Sequence, residues 1–252
     1  MHRERPPRAR TLRKALLAGL GELFVVIGLT LVAYVVWALW WTSVSADRQA
    51  ADLVSDFRQE TSTPPNRTAA PAAPQEDPPE AAAVEHGQTI GVLIVPRWDG
   101  LTNNAMPILE GATADVLNLA AAGHYTDTQQ VGAIGNFALA GHRRSYGDSF
   151  RYVNLLQPGD EIIIETAQTW YIYSVTSSQI VLPTQTDVIA PVPGDPDAQA
   201  TRRLLTLTTC HSLTRGEFGN DHRWITHAEL TGWMDRAEGT PQQILALQGG
   251  DA

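Results

Sequence analysis

The segment Arg203-Leu-Leu-Thr-Leu-Thr-Thr-Cys210 decides the fold, because it is an apolar, β-rich run that ends at the single cysteine of the chain. β-Branched threonines between leucines favour a strand. A side chain at the rim of a strand is held rigidly and still meets solvent, as a nucleophile must. A lone cysteine can also be a small core residue, since free cysteine is among the most buried residue types. The segment therefore predicts a strand with Cys210 at its end, and it leaves both roles open.

Further strand signals lie on both sides of this segment. They are short β-branched runs at residues 90–95, 136–140, 161–165, 170–176, 179–182 and 224–230. Pro158-Gly159-Asp160 is a turn signal between two of them. One helical stretch is predicted at residues 113–122, with Gly123 as its stop. Many short strands with one or two helices predict a mainly β domain, built as a closed or nearly closed barrel, at residues 89–238.

The N-terminal region predicts a membrane anchor. Residues 23–41 read LFVVIGLTLVAYVVWALWW without a charge, which is long enough for a helix to span a bilayer. Basic residues crowd positions 1–14, and the positive-inside rule then keeps this head in the cytoplasm. A cleaved signal peptide is the alternative, with Ser43-Val-Ser-Ala46 as a loose cleavage site, but the apolar run is too long and too aromatic for one. We therefore expect a cytoplasmic head at 1–14 and an anchor at 15–42, with the remainder outside the cell.

The next region predicts a spacer. Residues 61–83 are rich in proline, alanine and acidic residues, which cannot build a core and favour an extended chain. We assign residues 43–88 to this linker, 89–238 to the folded domain and 239–252 to a C-terminal tail. No motif in the linker indicates a lid. The net charge of −9 argues against nucleic acid as a partner, because phosphate backbones select clustered lysine and arginine.

Two residues are candidate partners for a reactive Cys210. His142 follows a predicted strand in Ala138-Leu-Ala-Gly-His142, and Arg223 stands at the start of the next strand after Cys210. Thiol catalysis needs a base and usually a positive group for the oxyanion. Each residue taken alone has an ordinary reading as well, a structural histidine and a surface arginine. None of the three residues His142, Cys210 and Arg223 identifies a catalytic site when taken alone.

These segments resemble the sortase family. Residues 206–210 (TLTTC) are similar to the TLxTC signature, residues 138–143 (ALAGHR) to the segment with the catalytic histidine, and residues 223–230 (RWITHAEL) to the strand that begins with the catalytic arginine. Further similarity lies in VPRW (95–98), GHY (123–125), GNF (135–137) and SYGDSF (145–150). The pattern, which covers residues 15–235, is most similar to class E sortases, with class D as the nearer rival. It implies a sortase-type closed β-barrel of about eight strands behind a transmembrane helix and a Pro/Ala-rich linker.

The resemblance also implies an activity. Cys210 would attack the carbonyl after threonine in a C-terminal sorting signal, with His142 as general acid and base and Arg223 as the oxyanion stabiliser. Thr209 and Tyr125 are implied substrate contacts. The implied partners are exported proteins with such a signal, a peptidoglycan or pilin amine acceptor, and membrane lipid around residues 15–42. This chemistry needs no cofactor and no metal.

Several alternatives stay open at this level. After Gly123-His-Tyr125 the chain reads Thr-Asp-Thr-Gln-Gln, where a Pro-Gly-Thr type of turn is typical of the family, and the loop after Cys210 is long for class E. Both departures concern substrate preference, for which the class favours an LAxTG-type signal over LPxTG. His124 is the best competing base, and His211 is poorly placed because neighbouring side chains on a strand point to opposite faces.

Other functions were also considered. Zinc binding lacks a CxxC or HExxH spacing. An exported cysteine peptidase is possible, and an L,D-transpeptidase would need an S-x-G-C type motif, which is absent. A membrane-tethered, non-catalytic β domain that binds wall components would instead have a buried Cys210, with His142 and Arg223 far apart.

Overall fold

The computed structural model describes residues 8–61, 68–69, 77–102, 104–214 and 219–244. The chain forms two compact units, Met1–Thr42 and Ser43–Ala252. Helix α1, Arg8–Glu60, begins in the first unit and ends in the second. Within the described residues, one helix is long and apolar enough to cross a membrane, and its most apolar stretch has no buried residue. The predicted head falls partly on residues 1–7 and the predicted tail partly on 245–252, both outside the described residues.

The second unit is built on a closed barrel of eight strands. The strands are β2 Thr89–Ile94, β3 Met106–Glu110, β4 Ala122–His124, β5 Gly135–Ala140, β6 Glu161–Thr166, β7 Thr169–Val181, β8 Arg203–His211 and β9 His222–Asp235. Their order around the barrel is β2-β3-β4-β5-β8-β9-β7-β6, and β6 pairs with β2 to close it. Two-residue strands β1 (Thr68–Ala69) and β10 (Thr240–Pro241) pair outside the barrel. The predicted closed barrel of about eight strands is confirmed.

The apolar run in β6 shows how the core is divided. Ile162 and Ile164 point into the barrel interior, where they join Phe137, Leu205 and other buried side chains. Ile163 points the other way and packs in a second cluster with Val54 and Phe57 of helix α1. A strand covered on both faces needs apolar residues at successive positions. The uninterrupted Ile162-Ile-Ile164 run is therefore explained by a helix on the outside of the barrel.

The second half of α1 differs from the predicted spacer. Ala46, Ala50, Val54 and Phe57 are all buried, at the spacing of one helix face. Arg58 at the end of this face donates to the carboxylate of Glu165, at 2.7 Å from Nη2 to Oε2. The second part of α1 is thus packed on the barrel. The predicted linker boundary at residue 43 differs because it was drawn from composition, which does not detect an apolar stripe at helical spacing. Of the Pro/Ala-rich part, residues 62–67 and 70–76 lie outside the described residues.

The helix predicted at residues 113–122 is shorter than expected. Helix α2 covers Ala114–Leu117, and Ala120 adopts a left-handed φ of 55° that ends the helical path. Gly123 does not stop a helix but lies in strand β4, where a Cβ atom would meet the Gly111 carbonyl oxygen at 2.4 Å. The pairing of β4 with β3 and β5 therefore overrides the local helical tendency. Strands β3 and β4 were not predicted, and the two runs at 170–176 and 179–182 form the single strand β7.

Candidate active site

The candidate site lies where β5, β8 and β9 end next to one another. Strand β5 is parallel to β8, and β8 is antiparallel to β9. In the second ladder Cys210 is directly opposite Arg223. Directly opposed residues project their side chains from the same face of a sheet. Cys210 and Arg223 are therefore neighbours on one face of the ladder.

His142 reaches the same rim from β5. The last aligned pair of the parallel ladder is Ala140 with Thr208, so His142 and Cys210 each lie two residues beyond it. The alignment continues through Gly141, whose N–H donates to the Thr208 carbonyl at 3.1 Å. The three residues predicted from the sequence are thus brought to one edge of the barrel, although 81 positions separate the first from the last.

The His142 ring is held from two sides. Its Nε2 lies 2.9 Å from Oδ1 of Asn118, an acceptor, so the Nε2–H donates and Nδ1 is the basic nitrogen of the neutral ring. Tyr146 stacks on the other side, with ring centroids 5.5 Å apart. Burial lowers the pKa of His142, and the charge of Asp148 partly opposes this effect. The environment therefore favours a neutral imidazole near pH 7.

Cys210 and Arg223 are both partly exposed. The Cys210 thiol is free, and its partial exposure is contrary to what the non-catalytic domain reading required. Arg223 donates from Nη1 to the carbonyl oxygens of Asn220 at 2.8 Å and His222 at 2.9 Å. Among the described residues, both of its recorded hydrogen bonds use Nη1. The guanidinium is thereby oriented. Its Nε and Nη2 groups donate no hydrogen bond to any of the residues that the structure describes.

Thr209 and Tyr125, the predicted substrate contacts, make contacts within the protein. Thr209 is 3% exposed, and its hydroxyl donates to the Gly141 carbonyl at 2.6 Å. The hydroxyl of Tyr125 lies 2.9 Å from Oγ1 of Thr208, two residues before Cys210. Tyr125 is partly exposed and borders the site, whereas Thr209 is turned towards the backbone that precedes His142.

The outer face of β8 and β9 is bordered by the segment that links β7 to β8. Val188 in this segment packs on Val181 and Ile225. Asn136 of β5 donates from Nδ2 to the Ala190 carbonyl at 3.0 Å and fixes the same segment from the other side. This segment is thereby fixed against both β9 and β5.

The competing histidines are not placed for proton transfer at Cys210. His124 has no exposed surface, and its Nδ1 and Nε2 face Glu110 and the Gln129 carbonyl at 2.8 and 3.1 Å. His211 directly follows Cys210 on β8 and contacts Arg143. Among the described residues there is no group of three or more His, Cys, Asp or Glu side chains that could hold a metal ion.

Two residues at the site were missed by sequence reasoning. Asn118 was placed inside a predicted helix, and no local signal connects it with His142. Tyr146 belongs to the segment 145–150, whose similarity to the family does not indicate a contact with His142. Its own surroundings are unusual, because Tyr146 and Asp148 have left-handed φ angles of 50° and 54°. Such strained positions cluster at functional sites and could be found only from the backbone.

Comparison with known proteins agrees with this geometry. The sortase domain model matches residues 93–231, which is more than half of the chain. The chain belongs to the sortase family. Sortase SrtE1 of Streptomyces coelicolor is 31% identical over 96% of this chain and 65% of its own length, and SrtE2 of the same organism is 30% identical over 84% and 80%. The sortase SrtA structure from Actinomyces oris is 61% identical, with a TM-score of 0.66 over 68% of this chain and 95% of that one.

These relatives support the class E resemblance seen in the sequence. The chain spans a little less than two thirds of the length of the first relative, so similarity covers the sortase unit and not all of that protein. Sortases as a family are cysteine transpeptidases that attach proteins to the cell wall.

Proposed function

We propose that this sortase is a membrane-anchored cysteine transpeptidase that uses Cys210 as nucleophile, His142 as general acid and base, and Arg223 as the oxyanion stabiliser. The single observation that carries the proposal is the convergence of these three residues at one barrel edge, with Cys210 opposite Arg223 in the β8–β9 ladder. Cys210 is also the only thiol in the chain. A solvent-accessible thiol outside the membrane is exposed to oxidation, and catalysis is a reason to retain it.

The first half-reaction forms a thioester. The neutral imidazole of His142 takes the proton of the Cys210 thiol, the resulting thiolate attacks the carbonyl carbon that follows threonine in the sorting signal, and the carbonyl π pair moves to oxygen. When the tetrahedral intermediate collapses, the carbon–nitrogen bond breaks, and the imidazolium of His142 gives the departing amine its proton. The second half-reaction reverses these steps with a new amine. That amine attacks the thioester, His142 takes its proton, and the Cys210 thiolate leaves.

Arg223 would act on the oxyanion in both steps. Two backbone carbonyls hold its Nη1, so the remaining N–H groups are oriented before substrate binds. A preorganised donor stabilises developing charge without reorganisation at the moment of reaction. Tyr125 borders the groove and would contact the signal peptide. Thr209 would act through position, because its hydroxyl holds the Gly141 carbonyl.

The N-terminal helix would place the catalytic unit outside the cell. The apolar run at 23–41 spans a bilayer, and the arginines at 3, 5, 8, 10 and 13 with Lys14 would stay in the cytoplasm. In this orientation the barrel meets exported proteins and wall precursors. The proposed substrates are LAxTG-type signals in preference to LPxTG, with a peptidoglycan or pilin amine as acceptor.

The test uses the full chain in detergent micelles with LAxTG and LPxTG reporter peptides and an amine acceptor. Because Cys210 is the only thiol, a peptide adduct trapped on the protein by mass spectrometry identifies the nucleophile. We expect amine-linked product with the natural chain and none with Cys210→Ala. Arg223→Ala should reduce kcat by about 10²–10³-fold, as loss of an oxyanion donor does.

Matched controls use residues of the same type elsewhere. Arg202, which pairs with Glu229 on the surface, controls for Arg223, and His86, which pairs with Asp115, controls for His142. Arg202→Ala and His86→Ala should keep kcat near the natural value. Full activity in Cys210→Ala, or equal losses in the control variants, would overturn the proposal.

A further inference from the structure

The residues that directly follow the three proposed catalytic residues also meet one another. Arg143 follows His142, His211 follows Cys210, and Trp224 follows Arg223. Nη1 of Arg143 lies 2.7 Å from Nδ1 of His211, and the guanidinium carbon lies 5.6 Å from the centre of the Trp224 ring. The His211 and Trp224 rings meet edge to face, with centroids 5.4 Å apart. These three residues are called the inner cluster below.

The inner cluster lies on the opposite face from the catalytic residues. Successive side chains of a strand point to opposite faces, so His211 and Trp224 point away from Cys210 and Arg223. Trp224 packs against the interior core of the barrel. Arg143 is 8% exposed, although it follows a partly exposed histidine. The inner cluster therefore closes the mouth of the barrel behind the site.

The hydrogen bond defines the state of His211. An arginine guanidinium can only donate, so Nδ1 of His211 must accept, and the neutral ring carries its proton on Nε2. Burial lowers the pKa of His211, and so do the charges of Arg143, Arg144 and His222, while Asp221 opposes them. Arg143 is thus a permanent cation held against a neutral ring. Its Nη2 also donates to Oδ1 of Asn154 at 3.0 Å, which connects the 3₁₀ helix Val153–Leu155.

Such a connection is needed because the strand ladder ends early. The last aligned pair of β5 and β8 is Ala140 with Thr208, two residues before His142 and Cys210. Beyond that pair, the contacts of Gly141 with Thr208 and Thr209 carry the alignment one step further. The bond from Arg143 to His211 is the next contact between the two segments, and it lies past the catalytic residues. His142 and Cys210 are thereby held between a contact on each side.

We propose that Arg143, His211 and Trp224 are positioning residues that set the relative placement of His142, Cys210 and Arg223 from behind. This inference rests on the proposed catalytic roles. The inner cluster touches none of the reacting atoms and acts through the backbone of the residue that precedes each member. A displacement of about 1 Å between reacting groups can cost about 10²-fold in rate, so loss of the bond should lower kcat and leave KM nearly unchanged.

The experiment compares paired variants of the full chain in detergent. His211→Asn keeps an acceptor oxygen as many bonds from Cβ as Nδ1, whereas His211→Leu removes the acceptor. We expect kcat to fall about 10- to 100-fold in the Leu variant and to recover to within about 3-fold of the natural value in the Asn variant, with KM unchanged in both. His86→Leu is the control of the same residue type, since the His86 side chain is exposed and pairs with Asp115 at the surface.

Arg143→Met and Arg143→Lys provide the reciprocal pair if His211→Leu fails to fold, because Lys keeps a cationic N–H donor of similar reach and Met does not. Thermal unfolding of each variant separates misfolding from misplacement. Three results would overturn the inference. They are a folded His211→Leu or Arg143→Met variant with the natural kcat, a change in KM alone, and equal losses of kcat in His211→Asn and His211→Leu. The activity of Cys210→Ala is measured in the same assay. If it stays active, the proposed catalytic roles fail first; if it is inactive while Leu and Met variants remain fully active, only the positioning role fails.

Discussion

The buried pair of Glu110 and His124 allows a stability prediction worked directly from its contacts. His124 has no exposed surface and Glu110 is 6% exposed. Nε2 of His124 faces the Gln129 carbonyl, which can only accept, so this nitrogen carries a proton. Nδ1 lies 2.8 Å from the Glu110 carboxylate, so both ring nitrogens have a partner. Removing either partner leaves a buried polar atom without its bond.

The perturbation is Glu110→Ala, with Glu110→Gln as the matched variant. Removing one partner of a buried charged pair costs about 3–5 kcal/mol, and we expect about 3 because Glu110→Ala leaves Nδ1 of His124 buried without its partner. In a domain of this size each kcal/mol shifts Tm by about 2–4 °C, so Glu110→Ala should melt about 6–12 °C below the natural protein. Glutamine can donate to Nδ1 of the neutral ring, so Glu110→Gln should lose less than about 1.5 kcal/mol.

The assay is thermal unfolding of the full chain in detergent, followed by near-UV circular dichroism. Glu229→Ala is the control, since Glu229 pairs with Arg202 at the surface and such pairs contribute about 0–1 kcal/mol. A Glu110→Gln variant as unstable as Glu110→Ala would refute the hydrogen-bond reasoning. So would a Glu110→Ala variant that melts with the Glu229→Ala control. Tyr125, a proposed substrate contact, directly follows His124. Because Glu110→Gln should keep His124 in place, this variant should also retain its activity.

Three further predictions concern other contacts of the barrel. Burial lowers the pKa of His227 below its unfolded value of about 6.5. Below about pH 6.5 the folded state therefore binds fewer protons than the unfolded state, and the free energy of unfolding should decrease as the pH falls. His227→Asn should flatten this decline in urea unfolding at pH 5–7, and an unchanged slope would contradict it. Arg236→Met should lower the free energy of unfolding by about 3 kcal/mol, since Arg236 is 5% exposed and lies 2.8 Å from buried Glu165. A Tm within about 2 °C of the natural value corresponds to about 1 kcal/mol or less and would contradict this prediction. Thr209→Val should lower the free energy of unfolding by about 1–3 kcal/mol and should lower kcat, because the buried Gly141 carbonyl loses its donor. Thr209→Ser keeps a hydroxyl and should restore both stability and kcat. A serine variant as impaired as the valine variant would contradict the hydrogen-bond role.

The proposed chemistry was largely predictable from local sequence. Cys210 at the end of a strand, His142 after another and Arg223 at the start of a third could be selected because each stands beside a strong strand signal. The barrel followed from the number of such strands. The short strands β3 and β4 were not predictable, because their residues have no strong periodicity and are held by their neighbours in the sheet.

The support of the site was not predictable. Asn118 meets His142 across 24 positions of sequence, and Arg143 meets His211 across 68. Neither contact has a local pattern, because it depends on how distant segments are brought together when the barrel closes. The packing of Val54 and Phe57 on the barrel was missed for the same reason. Its apolar stripe is present in the sequence, but its partner surface exists only after β6 and β7 have paired.

The sequence by itself determined the apolar helix that is long enough to span a membrane, the strand-rich class of the domain and the three residues proposed for catalysis. These properties depend on hydrophobic length, charge asymmetry and strand signals within a few residues, which act before the chain folds. Only the tertiary structure decided that Cys210 faces Arg223, that α1 covers the outside of the barrel and that a second set of contacts lies behind the site. Those features require strand register and closure, and register is set by cooperative pairing over the whole sheet.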